Sequence, residues 1–253
     1  FPSFSAGWRV TEEQFIKNLD LKWLNSVKIR GSYGELGNQN IGLYPYQAIL
    51  SLTGNYPFDD SALSTGVAQT NLSNSNIKWE TTTISDIGID ILAFNGLSLT
   101  ADWYKKRTTD ILRISQVTDI VGLGAPTINN GTMDNTGIEF GLAYNHTVND
   151  GFFNGLNYKM GFNLDHYKNK VVTFGKREIS GYRIREEGKE WDSYYMLEWT
   201  GIFQNQAEIE NSPKQFTDAT VPGDLKFKDQ NGDGKIDNDD RIHMSGNFPG
   251  LNY

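Results

Sequence analysis

Hydrophobic and polar residues alternate with a period of two through five stretches of the chain. Val27, Ile29 and Tyr33 fall on one side, and Lys28, Arg30 and Ser32 on the other. Ile87, Ile89 and Ile91 oppose Asp86, Gly88 and Asp90. Leu97, Leu99, Ala101 and Trp103 oppose Ser98, Thr100, Asp102 and Tyr104. Ile138, Phe140, Leu142 and Tyr144 oppose Glu139, Gly141 and Ala143. Leu156, Tyr158, Met160, Phe162 and Leu164 oppose Asn157, Lys159, Gly161, Asn163 and Asp165. Successive side chains of a strand point to opposite faces, so each stretch predicts a β-strand apolar on one side only. Residues 4–10 carry a weaker sixth signal of the same kind.

The segments between these stretches differ in length. Asn95-Gly96 lies between two alternating runs and has the composition of a tight primed turn. Asn149-Asp150-Gly151 and Asn154-Gly155 mark a second short connection. Residues 36–79, 114–134 and 171–253 are long and polar. Short and long connections therefore alternate, as in an up-and-down barrel with short periplasmic turns and long outer loops. One link, 11–25, departs from this rule: Thr11-Glu-Glu-Gln14 has the form of a capping box before Phe15, Ile16 and Leu19, and predicts a short helix.

Alternation accepts two architectures. In a soluble sandwich the apolar faces turn inward; in a membrane barrel they meet lipid and the charged faces line a wet lumen. Three features favour the barrel. The apolar faces are continuous over nearly whole segments, the connections are one-sided in length, and Trp79, Phe94, Trp103, Tyr104, Tyr144, Tyr158 and Tyr167 cluster near segment ends as interface girdles do. No run approaches the ~18 apolar residues of a membrane helix, but a spanning strand needs only about 10 alternating residues.

Charge and composition narrow the function classes. With 23 Lys+Arg against 31 Asp+Glu the formal net charge is −8, and no Lys/Arg cluster along the chain supports a nucleic-acid binder. Without Cys there is no disulfide framework, thiolate metal site or Cys nucleophile. The chain has no phosphate-binding or nucleophile-elbow motif. Glu186, Glu187, Glu190 and Asp192 offer carboxylates for glycoside hydrolysis, but a solvated loop explains them more simply. His146, His166 and His243 have no zinc spacing. Tyr44, Tyr46, Tyr56, Trp191, Tyr194 and Tyr195 are loop aromatics able to stack on sugars or peptides, or on one another.

The sharpest motif is Asp229 to Asp240. Asp229, Asn231 and Asp233 stand at positions 1, 3 and 5 of an EF-hand-like loop, and Gly234 stands at position 6, where the chain turns sharply. Lys235 offers its backbone carbonyl, Ile236 an apolar anchor, Asp237 a direct or water-borne ligand, and Asp240 closes the loop. These are the oxygen ligands of a structural Ca²⁺ ion, although Asp is shorter than the usual closing Glu. An Asp/Asn/Gly-rich turn without an ion accounts for the same residues.

Six phrases in order then resemble a known family: "FPSFSAGWRVTEEQF" (1–15), "KIRGSYGELGNQNIG" (28–42), "KWETTTISDIGIDI" (78–91), "DWYKKRTTDIL" (102–112), "NNGTMDNTGIEF" (129–140) and "DQNGDGKIDNDDR" (229–241). Together they resemble the C-terminal half of the barrel of SusC/RagA-type TonB-dependent outer-membrane transporters of Bacteroidetes. The resemblance implies an all-β, antiparallel, up-and-down transmembrane β-barrel segment, residues 1–253 being part of one roughly 22-stranded domain with a plugged lumen. Such a segment supplies about six to eight strands. It further implies import of an oligosaccharide or peptide rather than catalysis, a SusD-like surface lipoprotein as lid, and TonB acting through a plug and TonB box that this chain does not carry. The closing phrase "SGNFPGLNY" (245–253) lacks the final barrel strand of the family. In that frame Lys28, Arg30, Asp86, Asp90, Asp102, Glu139, Lys159 and Asp165 face the lumen, the apolar sides face membrane lipid, and the 229–240 loop stiffens an outer loop by binding Ca²⁺. The rival reading is a secreted, calcium-binding, carbohydrate-binding β-sandwich.

Overall fold

In the computed structural model, residues 1–52, 54–57, 63–217 and 219–244 are described; the phrase 245–253 lies outside them. The described residues divide into two compact units, 1–175 and 176–244.

The first unit is a six-stranded antiparallel sheet. Its strands are β1 (Ser3–Arg9), β2 (Leu24–Asn38), β3 (Glu80–Ala93), β4 (Leu97–Thr109), β5 (Thr132–Thr147) and β6 (Asn157–Thr173). Each pairs only with its neighbours in sequence, so the topology is up-and-down. All six expected stretches are strands, and most run past the alternating core that announced them. Turns 94–96 and 148–156 and the link 10–23 lie at one end; 39–79 and 110–131 lie at the other.

Register aligns the alternation of all the strands. Trp8, Ile29, Ile89, Ala101, Phe140 and Leu164 form one row across the sheet. Val27, Ile91, Leu99, Leu142 and Phe162 form the next. This face is not covered by a second sheet: Ile29, Ile87, Trp103, Ile138, Met160 and Phe162 are all exposed. Tyr144, His146 and Tyr158 stack together at its short-turn end, with centroids 5.7–6.1 Å apart. Trp23 and Phe94 stack at the same end at 5.6 Å.

Three local expectations are corrected. The capping box at Thr11 does not form: the link holds a 3-10 turn (Val10–Glu12) and α1 (Gln14–Lys17), neither capped by a side chain. The Thr11 hydroxyl instead accepts the Val27 N–H, because Thr11 lies inside the first turn rather than ahead of the helix. In the tight hairpin the left-handed pair is Phe94 and Asn95, each at φ 51°, one residue earlier than Asn95-Gly96. Gly96 is needed for space: a side chain there would run into the Asn145 carbonyl. Finally, Tyr104 and Tyr167 flank Gly137 on the polar face, so they do not belong to an aromatic girdle.

The second unit is built of short strands. β7 (Glu178–Ser180), β8 (Arg183–Arg185), β9 (Ser193–Leu197) and β12 (Arg241–Met244) form one sheet; β10 (Trp199–Ile202) pairs with β11 (Leu225–Phe227). Ile184, Phe203 and Ile236 are its buried apolar centre. α2 (Gln206–Glu210) starts at Asn205, whose side chain accepts the Glu208 N–H.

Candidate functional site

The polar face of the long sheet gathers every residue expected on it. Lys28, Arg30, Asp86, Asp90, Asp102, Glu139, Lys159 and Asp165 all share one side, because directly opposed residues of paired strands point the same way. Arg30, Gly88, Asp102, Glu139 and Asp165 form a single row across five strands.

Arg30 organises this face. Its Nη2 donates to Asp102 Oδ2 at 2.6 Å, its Nε lies 3.3 Å from both Asp90 oxygens, and its Nη1 lies 3.5 Å from Asp86 Oδ1. Asp102 is two strands away from Arg30, so the side chain must cross β3. It crosses over Gly88, where a Cβ would collide with both the guanidinium and Asp102 Oδ1. The glycine in the middle of β3 is thus the gap that lets one cation tie three strands together. Asp102 Oδ1 is buried without a hydrogen-bond partner. Beside it, Glu139 and Asp165 extend the row with two further carboxylates, and Lys106 and Lys159 lie on the same face nearer the strand ends.

In the second unit the 229–240 loop has the expected backbone shape. Gly232 and Gly234 have φ of 78° and 86°, values that glycine adopts without strain. Ile236 is buried, and its N–H donates to the Lys214 carbonyl at 2.7 Å. The side-chain oxygens are used locally. Asp229 accepts the N–H groups of Gly232 and Gly234, at 2.6 and 2.8 Å, and Asn231 accepts that of Asp233. Asp240 is fully buried and accepts from Gln230, Asn231 and Asp237. The Asp237 N–H, then burial acting in the opposite sense, then the Gln230 and Asn231 N–H groups set a net downward shift of its carboxyl pKa. The Lys235 ammonium lies 2.7 Å from Asp237 and 3.5 Å from Asp233, raising its own pKa and lowering that of Asp237.

As a test of fit for Ca²⁺, the donor set is right for a hard cation, being all oxygen around a glycine turn. The arrangement is that of a loop closed on itself: among the described residues no three His, Cys, Asp or Glu side chains gather in one place as metal ligands.

The weaker candidates have other occupations. Asp192 forms a two-point ion pair with Arg185, at 2.6 and 3.2 Å, and Glu186 lies 2.7 Å from His243 Nε2. Tyr194 lies under the Arg183 guanidinium and Trp191 under that of Arg185. Tyr195 packs edge-on to His243. In the first unit Tyr44 and Tyr46 meet edge to face and, with Trp79, line an open cavity of about 560 Å³ in the 39–79 loop.

A sheet whose exposed side is aliphatic and whose other side holds ion pairs inverts the usual arrangement of a water-soluble protein. With turns short at one end and long at the other, it is the wall of an outer-membrane β-barrel. The comparisons agree. The family model described as "TonB dependent receptor-like, beta-barrel" matches residues 1–234, and the chain belongs to that family. TonB-dependent receptor P26 of Formosa agariphila is 29% identical over 99% of this chain and 26% of its own length. TonB-dependent receptor SusC of Bacteroides thetaiotaomicron is 27% identical over 95% of this chain and 24% of its own length. The chain spans about a quarter of the length of the curated relatives it matches. The RagAB peptide importer in its closed-closed state superposes with a TM-score of 0.74 at 22% identity, over 98% of this chain and 26% of that one. Membership of this family places the chain in the outer membrane.

Proposed function

We propose that this chain forms part of the barrel wall of a TonB-dependent nutrient importer, with the face of Arg30, Asp102 and Glu139 toward the lumen. The observation that carries the reading is the opposition of two faces on one meander: exposed aliphatic rows on one side, a bridged charge network on the other. An Arg or Lys on the lipid side at mid-membrane would cost about 2–4 kcal/mol, so the charged side belongs to the wet lumen. Residues 39–79 and 110–131 are then outer loops, and the Tyr44–Tyr46–Trp79 cavity offers aromatic planes to an arriving solute. The solute is an oligosaccharide or a peptide, held under a SusD-like lipoprotein, and TonB drives release by pulling on a plug. Similarity to SusC and likeness to the RagAB peptide importer support the lid and the solute class.

The test is genetic. Deleting the gene for the full-length protein in its source cell should abolish growth on one class of oligosaccharide or peptide. Deleting TonB should reproduce the loss, and affinity capture should bring down one surface lipoprotein. Undiminished uptake in both deletions overturns the reading.

The 229–240 loop is proposed as a structural Ca²⁺ loop. Asp229, Asn231, Asp233, Asp237 and the Lys235 carbonyl would hold the ion, and the Lys235 ammonium would leave Asp233 and Asp237. Asp240, already spent on backbone donors, would brace the loop. Titration calorimetry of the full-length protein should show Ca²⁺ uptake that strengthens in Lys235→Ala and vanishes in Asp229→Ala. No heat with Ca²⁺ in either the parent or Lys235→Ala overturns it.

A further inference from the structure

The apolar face does not stay apolar to the end of the strands. Counting rows on β5 and β6, it begins at His146–Tyr158 and continues through Tyr144–Met160, Leu142–Phe162, Phe140–Leu164 and Ile138–His166. The next row toward the long loops is Lys105, Thr136 and Lys168, and the one beyond it is Arg107, Asp134 and Lys170. Five pleat repeats separate the His146 row from the Lys105 row, about 34 Å along a strand, or about 26 Å of height at a tilt of ~40°. The apolar band of an outer-membrane barrel is about 25 Å tall. The cations therefore begin where the hydrocarbon ends, on the outer surface of the wall and at its long-loop end.

Four cations meet there against one internal carboxylate. Asp134 is taken by Arg107, whose Nε and Nη2 donate at 2.6 and 2.7 Å, and Lys105 Nζ stands 3.8 Å from the same carboxylate. Lys168 and Lys170 are exposed. Glu35, on the same face, lies two strands from Arg107 and accepts the Tyr33 hydroxyl. The residues come from two separate pieces of sequence, Lys105-Lys106-Arg107 and Lys168-Asn169-Lys170, which the register brings side by side. On a protein of net charge −8 such a concentration of positive charge on a lipid-side surface needs a counter-charge.

We propose that Lys105, Lys168 and Lys170, with Arg107, form a binding surface for the phosphate groups of outer-leaflet lipid. The ligand class is a phosphorylated lipid headgroup whose acyl chains run down the apolar rows below. Ammonium groups and a guanidinium spaced over three strands suit a multivalent, phosphate-bearing headgroup better than a single free ion, because chain and headgroup are engaged together. The proposal rests on the outward orientation of the long loops.

The test uses the full-length protein in nanodiscs of phosphatidylcholine, doped with bis-phosphorylated lipid A or with its dephosphorylated form. Native mass spectrometry reads the retained lipid. The parent should retain the phosphorylated form and not the dephosphorylated one, and millimolar inorganic phosphate should not displace it. Lys105→Gln/Lys168→Gln/Lys170→Gln should weaken retention by roughly fivefold per charge, about a hundredfold for three. The Lys105→Arg/Lys168→Arg/Lys170→Arg variant should keep it. Heat-modifiable migration in gels confirms that each variant is folded, and the lipid comparison on the parent stands even if the Gln variant does not fold. Equal retention of both lipid forms, equal retention by the Gln variant, or displacement by free phosphate overturns the proposal. A cell-surface labelling pattern that puts residues 94–96 outside would instead overturn the orientation on which it rests.

Discussion

Replacing Gly88 by Ala probes whether one cation really ties the strands of the polar face. The added methyl would occupy the path of the Arg30 side chain between β2 and β4 and displace it from Asp102. Hydrogen bonds to charged groups contribute about 1.5–3 kcal/mol. The Arg30 side chain is 33% exposed and that of Asp102 17%, so solvent screening brings the expected loss to about 1–2 kcal/mol. Against this, Ala in a strand gains about 0.5–1 kcal/mol over Gly through chain entropy. The net expectation is destabilisation by about 1 kcal/mol. In an Arg30→Met background the bridge is already gone and the Asp102 carboxylate, no longer held over Gly88, can turn away from the methyl, so the same substitution should stabilise by about 0.5 kcal/mol, a reversal of sign. Urea unfolding of the four full-length proteins in lipid vesicles, followed by heat-modifiable migration, gives the cycle. If Gly88→Ala costs the same with and without Arg30, the obstacle is the Asp102 carboxylate itself rather than the guanidinium, and the cross-strand tie is refuted.

Other outcomes follow from the same geometry. Ile89→Arg, in the centre of the apolar rows, should cost about 2–4 kcal/mol and sharply reduce outer-membrane levels. Asp90→Asn should be tolerated, since its contact with Arg30 is long; equal levels of the two variants on immunoblots would contradict the facing. Gly96→Val should prevent the β3–β4 hairpin from packing beside Asn145, seen as faster proteolysis at 94–96. The 229–240 loop should respond to acid: its Asp237 and Asp240 carboxyls are held below their ordinary pKa, so their contribution is complete above the unfolded-state Asp value and lost as pH falls through the depressed one. Lys235, raised, works in the opposite sense and loses its contribution only as pH rises through its elevated value. Hydrogen exchange of the Gln230 and Asp237 amides, held by Asp240, and of the Asp239 amide, held by Asp237, should therefore stay protected from neutral pH down to the ordinary Asp range and open below it.

The long strands were legible because a period of two is written in each one locally, and the facing of Arg30 or Asp102 follows from parity alone. What escaped was whatever depends on register. Tyr104 and Tyr167 lie near the ends of the alternating stretches, which suggests a girdle, but their parity with Asp102 and Asp165 puts them on the polar face. Lys105 and Arg107 belong to one short basic run and Lys168 and Lys170 to another, more than 60 residues away, and the two become one patch only when β4, β5 and β6 are aligned. The second unit was invisible for another reason. Its strands are as short as Glu178–Ser180 and are held by ion pairs such as Arg185–Asp192, which leave no periodic trace. The 229–240 loop was readable in its glycines, whereas the capture of Asp240 by three backbone N–H groups needed the fold around it.

Pairing confined to sequence neighbours also governs how such a wall is assembled. The β3–β4 and β5–β6 hairpins close over 94–96 and 148–156, so each can zip within its own short span, and β4 must then find β5 across 110–131. Loop closure grows costlier only slowly, by about 0.6 kcal/mol per doubling of length, so even the 39–79 excursion between β2 and β3 adds little more than that to the search. The sheet can therefore be delivered to the membrane as a queue of hairpins, each joining the exposed edge of the one before, and no strand needs a distant partner to wait for it.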